Sequence, residues 1–219
     1  MHLRSLLAGM FLAACAPTPA DGLVLEGVLT RDESCVVDGT EPLRADGVLD
    51  TSALATSRPD GITYQAAFRF LNYERAPDRR SAQIAIPYEM DLDNLLVEIR
   101  RDGATLDTGA LPNPFLVPLQ GSVGFATNAE EPARGVGAGT VLPAAYMPAI
   151  DSTMADGGDL ELRIQAMAIS PSGAMRTSTT LVYPLHVCVG CLVTCAPPGV
   201  APTLTCESGQ DDPSTVHCE

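Results

Sequence analysis

The sequence predicts an all-β protein, built as an antiparallel sandwich of two sheets and followed by a disulfide-rich C-terminal tail. Apolar and polar residues alternate with period two in several segments, which is typical of strands with one buried face. Clusters of glycine, proline, serine and aspartate separate these segments, and no long helical pattern intervenes. Five cysteines lie within 188–219, a composition that needs covalent staples rather than a hydrophobic core of its own.

The N-terminal half contains four alternating segments. The first begins at Leu23, and the clearest covers 62–72, where tyrosine and phenylalanine share one face. A third covers 82–88, and a fourth covers 95–100. Asp102-Gly103 follows the fourth at once, and an Asp-Gly pair after an alternating run predicts a hairpin because both residues tolerate positive φ.

The C-terminal half predicts two further strands, over 160–168 and 181–187, with the second as the last strand of the chain. Glycine-rich turns at 156–159 and 170–173 bound the first of them. The intervening region is rich in proline, glycine and alanine. Within it, 141–150 predicts at most one helical turn, because two prolines interrupt the segment.

These elements predict one sandwich domain over 23–187, of the immunoglobulin or fibronectin-III type, and a separate cysteine-rich tail over 188–219. Each sheet would bury one face against the other. Loops at the ends of such sandwiches commonly carry function. Residues 109–158 are therefore the expected place for any ligand-binding loops.

The chain begins with the order of a secretory signal peptide: a positive charge at Arg4, a short apolar run, and small residues before a cleavage site. The apolar run is much shorter than the ~20 residues that cross a bilayer. An ordinary signal peptide has no need of a cysteine at the cleavage site. We therefore interpret Leu12-Ala13-Ala14-Cys15 as a lipobox; the alternative is an ordinary signal with an incidental cysteine.

This motif resembles that of bacterial lipoproteins. The resemblance implies removal of residues 1–14 and lipid attachment to Cys15, with 15–22 as a proline-containing tether. Two or more acyl chains anchor a protein stably to a membrane. Ala16, where inner-membrane members commonly have aspartate, implies the outer membrane. The expected location is the cell envelope, outside the cytoplasm.

The charge balance argues against nucleic-acid partners. The formal net charge is −14, and all 13 basic residues are arginine. Binding to phosphate backbones depends on cationic groups, so an acidic chain is repelled. The lack of lysine also excludes P-loops and Ser-Lys dyads.

Six cysteines remain after the lipidated one, and we expect all of them to form disulfides: Cys35, Cys188, Cys191, Cys195, Cys206 and Cys218. An even number of cysteines in an exported chain is typical of a disulfide framework. The stretch Tyr183–Cys195 resembles the cysteine-rich ends of uncharacterised secreted lipoproteins of myxobacterial type, a family that brings no activity with it.

The C-x-x-C at Cys188 and Cys191 has three interpretations: a structural disulfide, a redox pair, or half of a zinc site. A redox pair should open a helix after a strand, and a zinc site should have a second C-x-x-C or a matched histidine pair. Neither context is present, so we expect a structural disulfide, no metal and no cofactor. The zinc alternative would draw its other ligands from Cys195, Cys206, His186 or His217.

Cys35 is the one cysteine in this set far from the tail. We expect it to tie the N-terminal sheet edge to the tail, with Cys188 as its partner. Closing so long a loop could stabilise the fold by about 5 kcal/mol in the chain-entropy description.

No catalytic constellation emerges from the motifs. His186 lies on a predicted strand opposite its apolar neighbours and should face solvent, and the sequence has no G-x-S-x-G. Asp91-Leu92-Asp93-Asn94 begins like a calcium loop, but the glycine expected at its sixth position is missing. Two further acidic pairs could assist calcium binding, although turns also use aspartate for capping. They are Asp156 with Asp159 and Asp211 with Asp212.

The sequence thus predicts a lipid-anchored envelope protein without catalytic activity, which acts by display or scaffolding. Its partners would be the membrane, through the lipid on Cys15, and an envelope protein or polysaccharide. The alternative is an extracytoplasmic module that binds carbohydrate or protein. A hydrolase with an unrecognised site is the least favoured interpretation.

Overall fold

A computed structural model describes residues 22–31, 35–52, 61–75, 89–128, 131–195, 197, 206, 210–212 and 214–216. Strands dominate this part of the chain. In order they are β1 (Leu23–Leu29), β2 (Leu43–Arg44), β3 (Gly47–Asp50), β4 (Tyr64–Asn72), β5 (Glu89–Arg101), β6 (Ala104–Thr105), β7 (Phe115–Pro118), β8 (Gln120–Gly124), β9 (Ala133–Leu142), β10 (Gly158–Ile169), β11 (Met175–Thr177), β12 (Leu181–Cys188), β13 (Val193–Cys195) and β14 (Ser214–Val216). A 3-10 turn over Ala144–Tyr146 leads into one short helix, α1 (Met147–Thr153).

Most strands belong to one 12-stranded sheet with the order β2-β1-β4-β9-β8-β5-β10-β12-β3. β6 and β7 pair with β5, and β11 pairs with β10. Neighbours are antiparallel except at β12–β3, which is parallel. β13 and β14 form a separate parallel pair.

The all-β class is confirmed, but the expected two separate sheets are replaced by one nearly closed, barrel-like sheet. The long strand β5 is the reason. Its first residues pair with β8, and most of its length pairs with β10, so hydrogen bonding runs unbroken between the two halves. Near the opposite side, the backbone N–H of Thr179 donates to the carbonyl of Leu23 at 3.2 Å, which brings the start of β12 to β1.

A single apolar core fills the curved sheet, and the predicted alternation builds it. On β4 the buried side chains include Tyr64, Phe68 and Phe70, and on β10 they run from Leu160 to Ala168. Both sets belong to one cluster of buried residues, so the two halves of the sheet share one interior. Burial of this apolar surface is the main force that holds the strands together.

The predicted Asp102-Gly103 hairpin is confirmed. Both residues have positive φ, 51° and 77°, and they connect β5 to β6. The predicted turn at 170–173 joins β10 to β11, with Gly173 also at positive φ. The predicted strand over 82–88 lies outside the described residues.

Two expectations about element order are corrected. β12 is not the last strand, because β13 and β14 follow it in the tail. The region 109–158 contains three strands, β7 to β9, as well as α1. Pro148 stands in the first turn of α1, where its missing N–H costs no helical hydrogen bond, so the helix extends to Thr153. No helix in the described ranges is both long and apolar enough to cross a membrane.

Candidate functional site

Two polar clusters lie inside or beside the core, and β3 contributes to both. We call Asp50 with the Cys188–Cys191 disulfide the CxxC cluster. We call Arg44, Tyr64, Tyr183, Gln210 and Asp211 the seam network, because the tail meets the sheet there.

Strand pairing builds the CxxC cluster. Cys188 ends β12 and lies directly opposite Asp50, the last residue of β3, in the parallel register. Cys188 is disulfide-bonded to Cys191, with 6.0 Å between their Cα atoms. Asp50 is fully buried, and Cys191 is exposed. The cluster therefore joins a buried carboxylate and a buried cysteine to an exposed cysteine.

The loop between the two cysteines wraps around the carboxylate of Asp50. The backbone N–H groups of Gly190 and Leu192 donate to its two oxygens, each at 2.8 Å, and the N–H of Ser52 donates at 2.9 Å. Burial by itself would raise the pKa of Asp50, but these donors outweigh it and lower the pKa below the ordinary 3.8. Asp50 is thus an ionised group held inside the protein.

The seam network joins strands that are distant in sequence. The hydroxyl of Tyr64 donates to Asp211 Oδ1 at 3.1 Å and lies 3.1 Å from the hydroxyl of Tyr183. The N–H of Val48 donates to the same carboxylate oxygen at 2.9 Å. Arg44 Nε lies 3.9 Å from Asp211 Oδ2.

Burial sets the charge states of this network. It raises the pKa of Asp211, against the opposing effects of the Val48 N–H, Arg44 and Tyr64. It also raises the pKa values of Tyr64 and Tyr183 far above their usual range, so both phenols stay protonated and remain donors. Burial disfavours the charge on Arg44, but Asp211 and Asp212 outweigh it and raise its pKa.

The tail segment 210–212 docks across the seam. The side chain of Gln210 is buried, and its Oε1 accepts the backbone N–H of Gln65 on β4 at 2.5 Å. Gln210 also forms an antiparallel bridge with Leu49 on β3, and the N–H of Asp211 donates to the carbonyl of Val48 at 2.9 Å. The segment therefore links β3 to β4, which are not neighbours in the sheet.

A cavity of about 20 Å³ adjoins this network and is lined in part by Arg31, Arg44, Gln65 and Gln210. That volume holds roughly one water molecule. A larger, open groove of about 360 Å³ lies on the outer side of β8 and β9, and its lining carries no charge. The polar side chains in it are Gln65, Gln120 and Thr140.

The structure corrects the predicted partner of Cys35. Cys35 bonds to Cys206, with Cα atoms 5.2 Å apart, and not to Cys188. The end of β12 carries Cys188 to Asp50, where its sulfur meets Cys191 three residues on. The expected tie between the N-terminal edge and the tail exists, through a different tail cysteine.

The other predicted disulfide residues agree with the structure where it describes them. Cys195 is also disulfide-bonded, so all five described cysteines are oxidised. Cys15 and Cys218 lie outside the described residues, as does His217.

The remaining polar candidates do not converge on one point. His186 faces solvent, as predicted, and its Nδ1 lies 2.8 Å from Asp159 Oδ1 across the β10–β12 pair. Asp91 and Asp93 are exposed residues of β5, and Asp156 is exposed at a turn. Among the acidic pairs, only Asp211 enters a buried network.

Sequence reasoning missed Asp50, Tyr64 and Tyr183 as polar centres. Both tyrosines follow the apolar alternation of their strands, which predicts ordinary core residues. The sequence did offer one signal for Asp50: a carboxylate ends the short apolar segment Gly47–Asp50. A charge buried at such a position requires dedicated hydrogen-bond partners.

Comparison with known proteins assigns no family. No family model matches the chain, and no curated protein matches it. Among solved structures, the chain is similar to the solution structure of a late embryogenesis abundant protein, with 11% identity and a TM-score of 0.33. The similarity covers 66% of this chain and 72% of that one.

Proposed function

We propose that this chain is an exported lipoprotein, anchored through Cys15 in the cell envelope. Of the envelope membranes, the proposal favours the outer membrane. Its β domain acts without catalysis, as a rigid body that displays a surface to an envelope protein or polysaccharide. The lipobox over Leu12–Cys15 supplies the anchor in this proposal. The surface on display is the outside of the nearly closed sheet, which takes the place of the expected immunoglobulin- or fibronectin-III-like sandwich.

The observation that carries this proposal is the Cys35–Cys206 disulfide, which joins residues 171 positions apart. Stable disulfides form in oxidising compartments such as the periplasm and the cell surface. An exported chain with a cysteine at its cleavage site fits that setting.

The buried polar groups support a structural role. Tyr64, Tyr183 and Asp211 bond to one another and to the backbone of Val48, and the cavity beside them has room for about one water. Such a network uses its hydrogen bonds to hold the sheet and tail together. A substrate would have to displace these partners.

The test is to produce the wild-type chain and Cys15→Ala in a Gram-negative bacterium with fatty-acid labelling. We expect label and membrane partitioning for the wild type and neither for Cys15→Ala. Ala16→Ser, which leaves the cysteine in place, is the matched control and should behave as the wild type. Mass spectrometry that finds an intact Met1, or an unacylated Cys15 as the first residue, would contradict the proposal.

A second function, ligand binding, is favoured by the groove on β8 and β9. Most of its lining comes from the predicted binding region 109–158, including Gln120 and Thr140. An open groove lined by uncharged polar side chains and small residues suits a neutral carbohydrate chain.

Envelope polysaccharide binding by wild type and Gln120→Trp tests this second function. The bulky ring should fill the groove and abolish retention. Met175→Trp, at an exposed apolar position outside the groove, is the control. Equal retention of all three proteins would exclude the groove as the binding site.

A further inference from the structure

The CxxC cluster brings three metal-ligating groups to one point. A carboxylate oxygen of Asp50 and the sulfurs of Cys188 and Cys191 all lie within 4.8 Å of one another. Asp50 ends β3, Cys188 ends β12, and Cys191 lies in the loop after β12. The two cysteines are at least 138 positions from Asp50 in the chain. The C-x-x-C motif indicates the two cysteines, but only the register of β12 against β3 shows that Asp50 joins them.

Each group suits a divalent cation of the zinc type. Zinc takes thiolate, imidazole and carboxylate ligands in tetrahedral geometry. Backbone N–H groups from Gly190, Leu192 and Ser52 donate to the carboxylate of Asp50 and fix its position beside the two cysteines. A carboxylate oxygen has more than one lone pair, so it can accept a hydrogen bond from an N–H group and bind a cation at the same time. Cys191 is exposed, which leaves a path from solvent to the fourth ligand position.

The disulfide controls access to this site. Thiolates bind zinc, and disulfide sulfurs have lost that capacity. The other described cysteines, Cys35, Cys195 and Cys206, do not belong to the group of ligand atoms that lie within 4.8 Å of one another. His186, an earlier candidate ligand, bonds to Asp159 on the outer face. Asp50 is therefore the partner that the geometry offers to the two cysteines.

We propose that the Cys188–Cys191 pair is a redox-gated metal site, in which the reduced thiolates and Asp50 bind one zinc-type divalent cation. A dithiol reductant opens the site: its two S–H groups supply two electrons and two protons, it becomes a disulfide, and the Cys188–Cys191 bond becomes two thiols. Metal binding then releases those two protons and forms two sulfur–metal bonds. A disulfide oxidant reverses the step: it takes two electrons from the two thiolates and two protons from solvent and becomes two thiols, the Cys188–Cys191 bond re-forms, and the metal leaves as a hydrated cation. This proposal stands on the cluster alone and is independent of the lipid anchor.

The experiment uses the full chain with Cys15→Ala, so that the Cys15 thiol contributes no ligand. The protein is reduced with a phosphine, which takes up the oxygen of water as the disulfide becomes two thiols. It is then titrated anaerobically with Co²⁺ and with Zn²⁺. Sulfur-to-cobalt charge-transfer absorption reports thiolate ligation, and competition with a chromogenic chelator gives the zinc affinity. The unreduced protein is titrated in parallel.

Cys188→Ser/Cys191→Ser is the decisive variant, because it keeps the other cysteines, which the phosphine reduces equally. We expect one cobalt per reduced chain, with thiolate absorption, in the wild-type background and none in this variant. Asp50→Asn should weaken zinc binding at least about tenfold, whereas Asp159→Asn, an exposed carboxylate, should leave it unchanged. Equal thiolate absorption in the double variant, or metal binding by the unreduced chain at the same strength, would overturn the proposal.

Folding is followed by circular dichroism in the same titration, because metal binding and folding are linked. If reduction unfolds the chain, zinc should restore the native spectrum in the wild-type background and fail to do so in Cys188→Ser/Cys191→Ser. Alkylation of the reduced protein gives a site-level check. Zinc should slow modification of Cys188 and Cys191 and leave Cys35 and Cys206 unaffected. A reduced wild type that neither binds metal nor regains its fold with zinc would overturn the proposal.

Discussion

Asp50 is a buried carboxylate and Asp211 is a partly buried one, and their surroundings move the two pKa values in opposite directions. Three backbone N–H donors surround Asp50 and lower its pKa. Asp211 sits between phenols, an arginine and a second aspartate, and its burial raises the pKa. At Asp50 the backbone donors together outweigh burial, whereas at Asp211 burial, with the charge of Asp212, outweighs the Val48 N–H, Arg44 and Tyr64.

We expect Asp50→Asn to lower the free energy of unfolding by roughly 3 kcal/mol at neutral pH, because its charge-assisted hydrogen bonds are lost. A carboxyl with a lowered folded pKa stabilises the fold above its unfolded value of 3.8 and loses that contribution as pH falls through the folded pKa. The difference between wild type and variant should therefore be constant above 3.8 and shrink below it. Urea unfolding across this range measures it. Asp102→Asn, at an exposed turn, is the control, and a pH-independent difference would contradict the expectation.

Tyr64→Phe removes the hydroxyl that joins Tyr183 to Asp211. We expect a loss of about 1–3 kcal/mol in the free energy of unfolding, because a buried carboxylate loses a donor and the Tyr183 hydroxyl loses its partner. Thermal unfolding gives the measurement. Tyr73→Phe changes a half-exposed ring by the same atom and should have little effect. Equal melting temperatures for all three proteins would show that the seam network contributes nothing to stability.

β3 is only four residues long, yet it carries both polar clusters. Its first residue, Gly47, is buried against the hydroxyls of Tyr64 and Tyr183, where a Cβ would collide with the former. Its last residue, Asp50, faces Cys188. A short edge strand can occupy this position because the tail residues Gln210 and Asp211 bond to its backbone.

Gly47→Ala should destabilise the protein by roughly 1–3 kcal/mol, because the added methyl must push two hydrogen-bonded phenols apart. Gly124→Ala is the matched control, since a Cβ there meets only an ordinary contact at 3.6 Å. Denaturant midpoints of the two variants give the comparison. A midpoint for Gly47→Ala equal to that of Gly124→Ala would mean that the tyrosine hydroxyls move at no cost.

β8 and β9 show why sequence reasoning missed strands in the region 109–158. Alternation is hard to detect where glycine replaces the inward or outward side chain, as it does at Gly135, Gly137 and Gly139. The structure gives these glycines a reason. A Cβ on Gly137 would collide with Leu92 and crowd Phe70, and one on Gly139 would crowd the carbonyl of Pro118. Close approach between neighbouring layers of chain therefore selects glycine and removes the strand signal.

At the scale of the whole molecule, the Cys35–Cys206 disulfide and the docked segment 210–212 hold the nearly closed sheet from outside. The disulfide fixes the tail to the segment before β2. The segment then bonds to β3 and β4. The tail thus spans the gap where the edges of the sheet do not pair with each other.

Cys35→Ser/Cys206→Ser should therefore lower the melting temperature of the oxidised protein by many degrees. A loop of 171 residues corresponds to about 5 kcal/mol in the chain-entropy description. Cys188→Ser/Cys191→Ser opens a loop with a separation of only 3, for which the same description gives about 2 kcal/mol. Calorimetry of both variants without reductant tests the order. A larger effect for the short loop would contradict it.

Local sequence patterns are enough to predict the all-β class, the inward faces of β4 and β10, and the Asp102-Gly103 hairpin. They also predict that the described cysteines are bonded. These features depend on local rules: a side-chain period of two, the turn chemistry of Asp-Gly, and the oxidation expected of paired cysteines. The lipid anchor and the envelope location are also predictions from local sequence, and they await the labelling experiment.

Three features depend on long-range contacts instead: the single, nearly closed sheet, the Cys35–Cys206 bond, and the place of Asp50 against the Cys188–Cys191 pair. The last two join residues more than a hundred positions apart, and β5 joins strands that lie tens of positions away in the sequence. Strand order and register set such contacts, and a pattern with a period of two residues carries no information about which strand lies beside which.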